Sequence, residues 1–486
     1  MMRLLFLFVL FSTVQVSAQQ IYISEGQKLS SEMVGYDILG KGPAGELFVY
    51  KKYRFEDEVD VFDKQMNLKR TRNITLKGIN YDTNELIKMG DRIFQFYTER
   101  SGRTSYLKFQ EYNLALENKG DPVLVDSTVS RIGEAWSEYK VQRSEPDEYI
   151  LCYKFSLNNG RMEQTYLQIL NREGKMVSQS QFYLPAGNDT YELLTTQIGR
   201  GGQPAFLFRN NSYNCKKDED GIHYWIAFPG NGGKLSTCPI SNAGDQCIKE
   251  LNIGFDEARN ILVAAGFTGE DNRYSMQGYT VIHIDPLTGL VTSEKNDQFS
   301  DELSSSITSM LDKYSRYIPA YQVTRVIPRM DGGALLVAEY YDKTVENYDY
   351  TNYDPYYGYR TSTRQVEFYE YSDILLLSTG PEGKLDWSNI IRKKQLSKED
   401  KGVNSSFGLM NSYRNLYFIF NEDISQNSNV LMYALSADGT LDRQSLFNPS
   451  KQEVELRPVA ARQIDFDEVI IPSIYKRTLA FVKVKL

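Results

Sequence analysis

Eight short hydrophobic segments recur along the chain, and each is followed by a second apolar segment and then by a polar turn. The segments are almost continuous in Val, Ile, Leu, Phe and Tyr, which is typical of strands covered on both faces. They are Glu46–Tyr50, Arg92–Tyr97, Glu148–Tyr153, Pro204–Phe208, Asn260–Ala264, Gly333–Val337, Asn415–Phe420 and Glu468–Ile471. The pattern predicts a repeated unit of antiparallel strands.

The turns that punctuate these units are rich in Gly, Asn and Asp. Gly and Asn supply the positive φ that tight hairpin turns need. The turns are Asp63–Asn67, Asn171–Gly174, Pro229–Gly233, Asp285–Gly289, Pro381–Gly383 and Ala437–Gly439. A weaker turn lies near Asn113, and with it the turns recur at intervals of about one unit, except between Gly289 and Gly383, where the interval is too long. We therefore expect insertions there.

Each unit is a four-stranded meander, which cannot cover both faces of its own sheet. Radial packing of such sheets gives a β-propeller. Eight segments predict an all-β propeller of eight blades, with seven blades as the alternative. The last unit lacks one strand, and Gln20–Ser24 can supply it, so we expect the N-terminal strand to close the ring. A pair of β-sandwiches fits less well, because no segment resembles an interdomain linker.

The first residues have the pattern of a secretory signal peptide. Arg3 precedes the apolar run Leu4–Phe11, and Val16–Ala18 matches a small-residue cleavage site. We expect a signal peptide over residues 1–18 and a single propeller domain over residues 19–486. The expected location is the periplasm, the cell surface or the extracellular space. No later segment reaches the ~18 consecutive apolar residues of a membrane-spanning helix, so we expect no membrane span.

Four Cys residues lie in the exported part of the chain, where an oxidising environment permits disulfides. Cys152 is inside an apolar run, which predicts a buried free thiol. A disulfide is expected among Cys215, Cys238 and Cys247, and the sequence leaves the pairing open. No Cys-x-x-Cys spacing is present, so we identify no metal site.

One insertion, at about residues 300–316, has the pattern of a helix. Ser300 can cap its first turn, and the acidic side chains that follow suit the positive end of the helix dipole. One apolar stripe contains Leu303, Ile307, Met310, Leu311 and Tyr314. Packing of this stripe on the side or rim of the propeller is favoured over partner binding.

The other insertion, at about residues 340–364, interleaves Tyr with Asp and Glu. Tyr has a rigid apolar face and a polar tip, which suits recognition of proteins and of sugar rings. The alternative is a long hairpin whose Tyr rings stack across strands, and the two interpretations are compatible. We expect this segment to project from one rim and contact a macromolecular partner. The candidate binding residues are Tyr348, Tyr350, Tyr353, Tyr356, Tyr357 and Tyr359.

Charge and motif content exclude several classes of function. The chain has 55 basic and 63 acidic side chains, which disfavours nucleic acid as a partner. It contains no Gly-x-Ser-x-Gly elbow, Walker loop or His-Glu-x-x-His helix. His283 and Asp285 share a strand face, but no nucleophile accompanies them, so a structural role is favoured. We assign no catalytic residue, no cofactor and no metal.

The segments Asp373–Trp387 and Val430–Asp442 are similar to each other, each with apolar strand, Gly-containing turn and Leu-Asp pair. This pattern resembles secreted or periplasmic bacterial β-propeller proteins that have no assigned activity. The resemblance implies the propeller fold and export, and it carries over no activity. The resulting hypothesis is a non-enzymatic propeller that binds a protein partner as a scaffold or accessory subunit. The alternative is a secreted propeller that binds or hydrolyses carbohydrate.

Overall fold

The computed structural model describes residues 19–78, 80–129, 135–145, 147–185, 189–215, 221–243, 245–270, 275–309, 318, 321–424 and 429–486. The predicted signal peptide lies outside the described residues. So do residues 310–317, the second half of the predicted helix.

The described strands form eight antiparallel sheets, each with a path of four neighbouring strands. This confirms the predicted eight-bladed propeller and excludes the seven-bladed alternative. The N-terminal strands are β1 (Gln20–Ile23) and β2 (Gln27–Lys28). Blade 1 contains β3 (Met33–Lys41), β4 (Leu47–Tyr53), β5 (Asp57–Phe62) and β6 (Leu68–Asn73). Blade 2 contains β7 (Tyr81–Met89), β8 (Arg92–Ser101), β9 (Thr104–Asn113) and β10 (Val123–Val129).

The next three blades follow the same order. Blade 3 contains β11 (Ala135–Trp136), β12 (Lys140–Arg143), β13 (Tyr149–Asn158), β14 (Arg161–Asn171) and β15 (Met176–Tyr183). Blade 4 contains β16 (Tyr191–Ile198), β17 (Pro204–Asn210), β18 (Tyr224–Pro229) and β19 (Leu235–Ile240). Blade 5 contains β20 (Cys247–Asp256), β21 (Ile261–Gly269), β22 (Gly278–Ile284) and β23 (Val291–Gln298). The helix α1 (Asp301–Thr308) comes next.

The remaining blades include the chain's longest strands. Blade 6 contains β24 (Tyr321–Pro328), β25 (Ala334–Asp354), β26 (Gly358–Thr379), β27 (Leu385–Ile391) and β28 (Gln395–Lys398). Blade 7 contains β29 (Gly408–Asn411), β30 (Asn415–Asn421), β31 (Val430–Ser436) and β32 (Leu441–Phe447), followed by α2 (Pro449–Gln452). Blade 8 contains β33 (Arg462–Asp465), β34 (Glu468–Tyr475) and β35 (Thr478–Lys485). Short 3-10 turns lie at Arg200–Gly202, Asn231–Gly233 and Pro458–Ala460.

The predicted hydrophobic segments all fall on the second strand of a blade, and the predicted turns all join its third and fourth strands. The turn at Gly439 shows why the glycine is needed. Its φ is +89°, and a Cβ there would come within 2.7 Å of the Trp387 ring of blade 6. The turn is held to that blade, since Trp387 Nε1 donates to the Ala437 carbonyl at 3.1 Å. The third-to-fourth turn of blade 7 therefore covers the outer strand of the preceding blade.

The apolar core is divided into clusters, and each fills the interface between two neighbouring blades. One cluster joins blade 8 to blade 1, with the rings of Phe62 and Phe481 5.9 Å apart. The strand β1 pairs antiparallel with β35, from Gln20 opposite Lys485 to Ile23 opposite Val482. The first described strand is therefore the fourth strand of the last sheet.

The helix α1 begins where the sequence predicts, because the Ser300 hydroxyl accepts a hydrogen bond from the Leu303 N–H. Leu303 and Ile307 are buried in the cluster between blades 5 and 6. These two side chains pack on the propeller, as the favoured interpretation of the stripe requires.

A disulfide joins Cys215 to Cys247 and so ties the β17–β18 connection of blade 4 to the first strand of blade 5. Cys238 is a free thiol in the cluster between these blades. Burial raises the pKa of Cys238 to about 11. Cys152 is also buried and free, as its apolar sequence context predicts.

Candidate functional site

The β25–β26 hairpin extends far beyond the sheet of blade 6. Its two strands pair without interruption from Tyr341 opposite Tyr371 to Asp354 opposite Gly358. The neighbouring strand β24 reaches only to Tyr340, and β28 reaches only to Phe368. Beyond these points no other described strand pairs with the hairpin. We call residues 345–367 the ribbon, and residues 339–344 and 368–374, which join it to the sheet, its root.

The six candidate Tyr residues do not share one surface. Because strand side chains alternate between faces, Tyr348 and Tyr350 lie on one face of the ribbon. Tyr353 and Tyr359 are direct cross-strand partners on the other face, with ring centroids 5.3 Å apart. The segment predicted as a loop is therefore a hairpin, and one of its Tyr pairs makes an edge-to-face contact across the strands. The hairpin interpretation applies to it, and contact with a macromolecular partner stays a prediction.

The tip of the ribbon presents the remaining two candidates. Tyr356 is 92% exposed and Tyr357 is 71% exposed. The guanidinium of Arg360 lies 4.1 Å from the centroid of the Tyr357 ring. Sequence analysis missed Arg360 and Arg364, which share a face with Tyr348 and Tyr350. Only a strand assignment with the correct register could have identified them.

The root is fixed to the propeller by a buried ion pair. Lys393 Nζ lies 2.7 Å from Glu339 Oε1, and the two side chains are 1% and 3% exposed. The Ser406 hydroxyl also donates to Glu339, and Lys393 donates to Gln395 Oε1 at 2.8 Å. Burial raises the pKa of Glu339 and lowers that of Lys393, and the attraction between the two groups opposes both shifts. Removing either partner would leave the other buried and unpaired.

Aromatic rings complete the root. The Tyr341 and Tyr371 rings are 4.9 Å apart, and Lys393 Nζ lies 5.9 Å from the centroid of the Tyr371 ring. Lys393 Nζ also lies 5.9 Å from the ring of Phe420 in blade 7. The hairpin therefore leaves the propeller from a packed base that contacts two blades.

A second polar cluster lies on the first strands of blades 8, 1, 2 and 3, which contact one another at the centre of the propeller. Burial and the nearby Asp37 together raise the pKa of Glu85 to about 7, against the opposing effect of Arg462 and Arg143. Arg462 pairs with Asp37 at 3.1 Å. Arg143 pairs with Asp147 at 3.1 Å. Glu85 follows a bulge in β7, and such irregularities redirect side chains. A carboxyl group that titrates near neutrality can transfer protons or bind a charged group.

A third cluster lies where blades 4 and 5 meet, beside the disulfide. The His223 ring stacks on the Tyr213 ring with centroids 4.6 Å apart. Burial lowers the pKa of His223 to about 4, with Arg209 and Lys249 adding to the effect. Burial also raises the pKa of Glu250 to about 7. The neutral imidazole is thus enclosed by the protein and is not poised to titrate near pH 7.

The His283 and Asp285 side chains do not pair with each other in the contacts described. His283 Nε2 lies 3.2 Å from the Gly332 carbonyl, and Asp285 accepts hydrogen bonds from Leu287 and Thr288 within its own turn. Both side chains have structural roles here, which agrees with the favoured interpretation of the sequence.

A groove of about 400 Å³ lies between blades 7 and 8. In blade 8 the third and fourth strands are β35 and β1, so no turn joins them to cover blade 7 as Ala437–Gly439 covers blade 6. Most of the lining residues are of polar type: Gln19, Asn415, Tyr417, Ala434, Ser436, Thr440, Asp442, Gln444 and Leu486. Amide, hydroxyl and carboxylate groups beside a Tyr ring form a lining suited to a polar small molecule.

The part of the chain that the structure describes contains no group of three or more His, Cys, Asp or Glu residues that could hold a metal ion. Its helices are all too short or too polar to cross a lipid bilayer.

No protein-family model matches the chain. No curated protein matches it either. Among solved structures, a prolyl endopeptidase matches with a TM-score of 0.38 and 8% identity over 94% of this chain and 55% of its own, so this chain spans about half its length. The polysaccharide lyase Uly1 matches with a TM-score of 0.38 and 10% identity over 85% of this chain and 93% of its own. The Nup133 β-propeller domain of Vanderwaltozyma polyspora matches with a TM-score of 0.35 and 8% identity over 82% of this chain and 100% of its own. At these identities and TM-scores, no activity is transferred to this chain.

Proposed function

We propose that this protein is a non-enzymatic propeller that binds a protein partner through the ribbon, as a scaffold or accessory subunit. One observation carries the proposal. The six ribbon Tyr side chains are 45% to 92% exposed, on a hairpin whose root is buried in the propeller. Several Tyr side chains of the ring are buried instead, since Tyr97, Tyr224 and Tyr279 are at most 1% exposed.

Physical chemistry favours a protein as the ligand of such a surface. Tyr is enriched in protein interfaces, because it offers a large rigid area and a hydrogen-bonding tip while losing little side-chain entropy. The anchored root lowers the ordering cost of binding, since the hairpin is formed before the partner arrives. The three Tyr surfaces of the ribbon suit a partner that wraps around the hairpin better than one that is flat.

We further propose that the protein works outside the cytoplasm. The Cys215–Cys247 disulfide supports this, since disulfides persist in oxidising compartments. Amino-terminal sequencing of the protein from its source should begin at Gln19. A mature chain that begins at Met1 would contradict the proposal.

A photo-reactive side chain tests the binding function. It is placed at Tyr356 in the full-length protein, which is then irradiated in an extract of the source cells. The control carries the same group at Tyr413, which is 86% exposed but lies in blade 7, away from the ribbon. We expect one defined cross-linked protein at Tyr356, with yield lost when Tyr353 and Tyr359 are both changed to Ser.

Two results would contradict the binding function. One is an equal pattern of cross-links at Tyr356 and Tyr413. The other is a cross-link at Tyr356 whose yield is unchanged when Tyr353 and Tyr359 are replaced.

A second candidate function is carbohydrate binding in the groove between blades 7 and 8. Its polar lining beside the Tyr417 ring favours this function, because sugars present hydroxyl groups and an apolar ring face. A glycan array probed with the wild-type protein and Asp442→Asn tests it. Binding that is lost in Asp442→Asn supports the candidate, and an empty array removes it.

A further inference from the structure

The outer edge of β26 pairs with β28 only next to the propeller. Beyond β28, no described strand lies along this edge. The Glu399 N–H donates to the Glu367 carbonyl at 2.9 Å, so the backbone groups of Glu367 point towards β28 and away from β25. In an antiparallel ladder this direction repeats at every second residue. The N–H and C=O groups of Gln365, Thr363 and Thr361 therefore point to the same side as those of Glu367. No described strand occupies that side.

The pairing between β28 and the outer edge of β26 stops at Lys398. Glu399 has a φ of +54°, which turns the backbone away from β26 just after β28. From there to the tip the edge is straight, because the register between β25 and β26 has no bulge beyond Tyr341. The strand contains no Pro up to the tip turn. Proteins usually protect long edges of this kind, because such edges pair readily with other strands.

The charges beside the edge indicate which strand it can accept. Arg360 and Arg364 lie on one face of β26, four residues apart. Arg364 already pairs with Glu399, the residue that ends the internal neighbour of this edge. The chain itself therefore places an acidic side chain, that of Glu399, beside Arg364. Arg360 lies on the part of β26 that has no internal neighbour, and its guanidinium lies over the Tyr357 ring.

A second copy of the chain is a poor occupant. Antiparallel pairing of two copies with full overlap of Tyr359–Gln365 would set Arg360 of one copy opposite Arg364 of the other. Like charges directly opposite each other destabilise a sheet. The edge therefore favours a different chain that carries negative charge.

We propose that an extended segment of a partner protein adds as a strand to the edge of β26 alongside Tyr359–Gln365, with acidic side chains on the face of Arg360 and Arg364. This inference rests on the proposed function and specifies how the ribbon recognises its partner. Backbone hydrogen bonds to the edge supply affinity, and the two Arg side chains supply selectivity.

Thr351 and Thr361 provide a matched test. They are cross-strand partners with hydroxyls 3.2 Å apart, so replacing either one breaks the same contact. Their backbone N–H groups point to opposite edges, and Pro at either position removes no hydrogen bond within the ribbon. Thr361→Pro blocks the edge of β26, whereas Thr351→Pro blocks the edge of β25.

The probes are two fluorescent eight-residue peptides, one alternating Thr and Glu and one alternating Thr and Lys, titrated against the full-length protein by anisotropy. We expect the Thr-Glu peptide to bind the wild type and Thr351→Pro equally, and to bind Thr361→Pro about tenfold or more weakly. We expect the Thr-Lys peptide to bind the wild type about tenfold or more weakly than the Thr-Glu peptide.

Three results would overturn the inference. They are no binding of the Thr-Glu peptide to the wild type, equal binding to the two Pro variants, and equal binding of the two peptides. Cross-linking at Tyr356 distinguishes failure of the strand-addition inference from failure of the proposed function. If Thr361→Pro keeps the cross-linked partner while the Tyr353→Ser, Tyr359→Ser variant loses it, the ribbon binds its partner but not through this edge.

Discussion

Two ion pairs of equal length lie at the base of the β25–β26 hairpin. Lys393–Glu339 and Lys343–Glu367 both span 2.7 Å, and Glu339 and Lys343 lie four residues apart on β25. The side chains of the first pair are 1% and 3% exposed, whereas those of the second are 40% and 41% exposed. Burial therefore determines how much each pair contributes to stability. The buried pair Lys393–Glu339 holds the hairpin to the propeller, whereas the exposed pair Lys343–Glu367 lies on a solvated surface and contributes little.

The largest expected effect comes from breaking the root pair. Lys393→Ala leaves the Glu339 carboxylate buried without its cation, and such a change costs about 3–5 kcal/mol. Urea denaturation of the purified full-length protein measures the free energy of unfolding. A loss below about 1 kcal/mol would show that the root is solvated and would remove the contrast with the ribbon.

Replacing both members of the root pair separates burial from attraction. The double variant Lys393→Met, Glu339→Leu removes both charges and keeps apolar volume, so we expect it to recover most of the stability lost in Lys393→Ala. The same urea experiment measures the recovery. If the double variant is as unstable as Lys393→Ala, the root depends on the attraction itself, on the hydrogen bond that Ser406 donates to Glu339, or on the one that Lys393 donates to Gln395.

Glu85 tests whether burial has the same effect on a charge elsewhere in the propeller. Its pKa is raised from 4.5 to about 7, so the folded chain binds a proton more tightly than the unfolded chain between these values. Stability contributed by the protonated group is therefore lost as pH rises through this window. Glu85→Gln lacks this loss, so from pH 5 to pH 8 we expect the variant to gain about 2 kcal/mol relative to the wild type.

The exposed Glu367 is the matched control for Glu85. Its hydrogen bond from Lys343 lowers its pKa, so any contribution to stability is lost as pH falls through that lowered pKa, in the acidic range. We therefore expect Glu367→Gln to follow the wild type between pH 5 and pH 8. Thermal unfolding at several pH values measures both variants. Parallel pH profiles for Glu85→Gln and the wild type would contradict the assigned shift.

The smallest expected change in stability comes from breaking the exposed pair Lys343–Glu367. Lys343→Ala should change the free energy of unfolding by about 0.5 kcal/mol or less, because exposed pairs gain little and are screened by salt. Urea denaturation at low and high salt provides the measurement. A salt-independent loss of several kcal/mol would mean that the ribbon is packed against other groups.

The repeated part of the fold could be predicted from sequence, because strands that are buried on both faces have nearly continuous apolar sequences. Ala334–Leu377 shows where this signal ends. The first residues of β25 are apolar and buried, but the same strand continues through alternating Tyr, Asp and Thr with no core to mark its register. The sequence therefore predicted a Tyr-rich segment and left hairpin and loop both open.

The residues that matter at the root were harder to predict. Glu339 and Lys393 are far apart in sequence, and neither stands in a motif. They meet because β27 and β28 return along β26, which only the tertiary fold reveals. The same applies to the cysteines, where Cys238 is excluded from the disulfide by its place in the core between blades 4 and 5.

The most direct measurement compares the wild type with a protein whose ribbon is shortened. Residues 347–365 are replaced by Asn-Gly, which joins the cross-strand partners Glu346 and Val366, whose backbone groups face each other, through a two-residue hairpin turn. Two quantities are measured on both proteins. They are the free energy of unfolding in urea and the amount of partner that a bifunctional reagent cross-links to the protein. We predict a free energy of unfolding within about 1 kcal/mol of the wild type and loss of the partner. A shortened protein that retains its partner at the wild-type level would contradict the account.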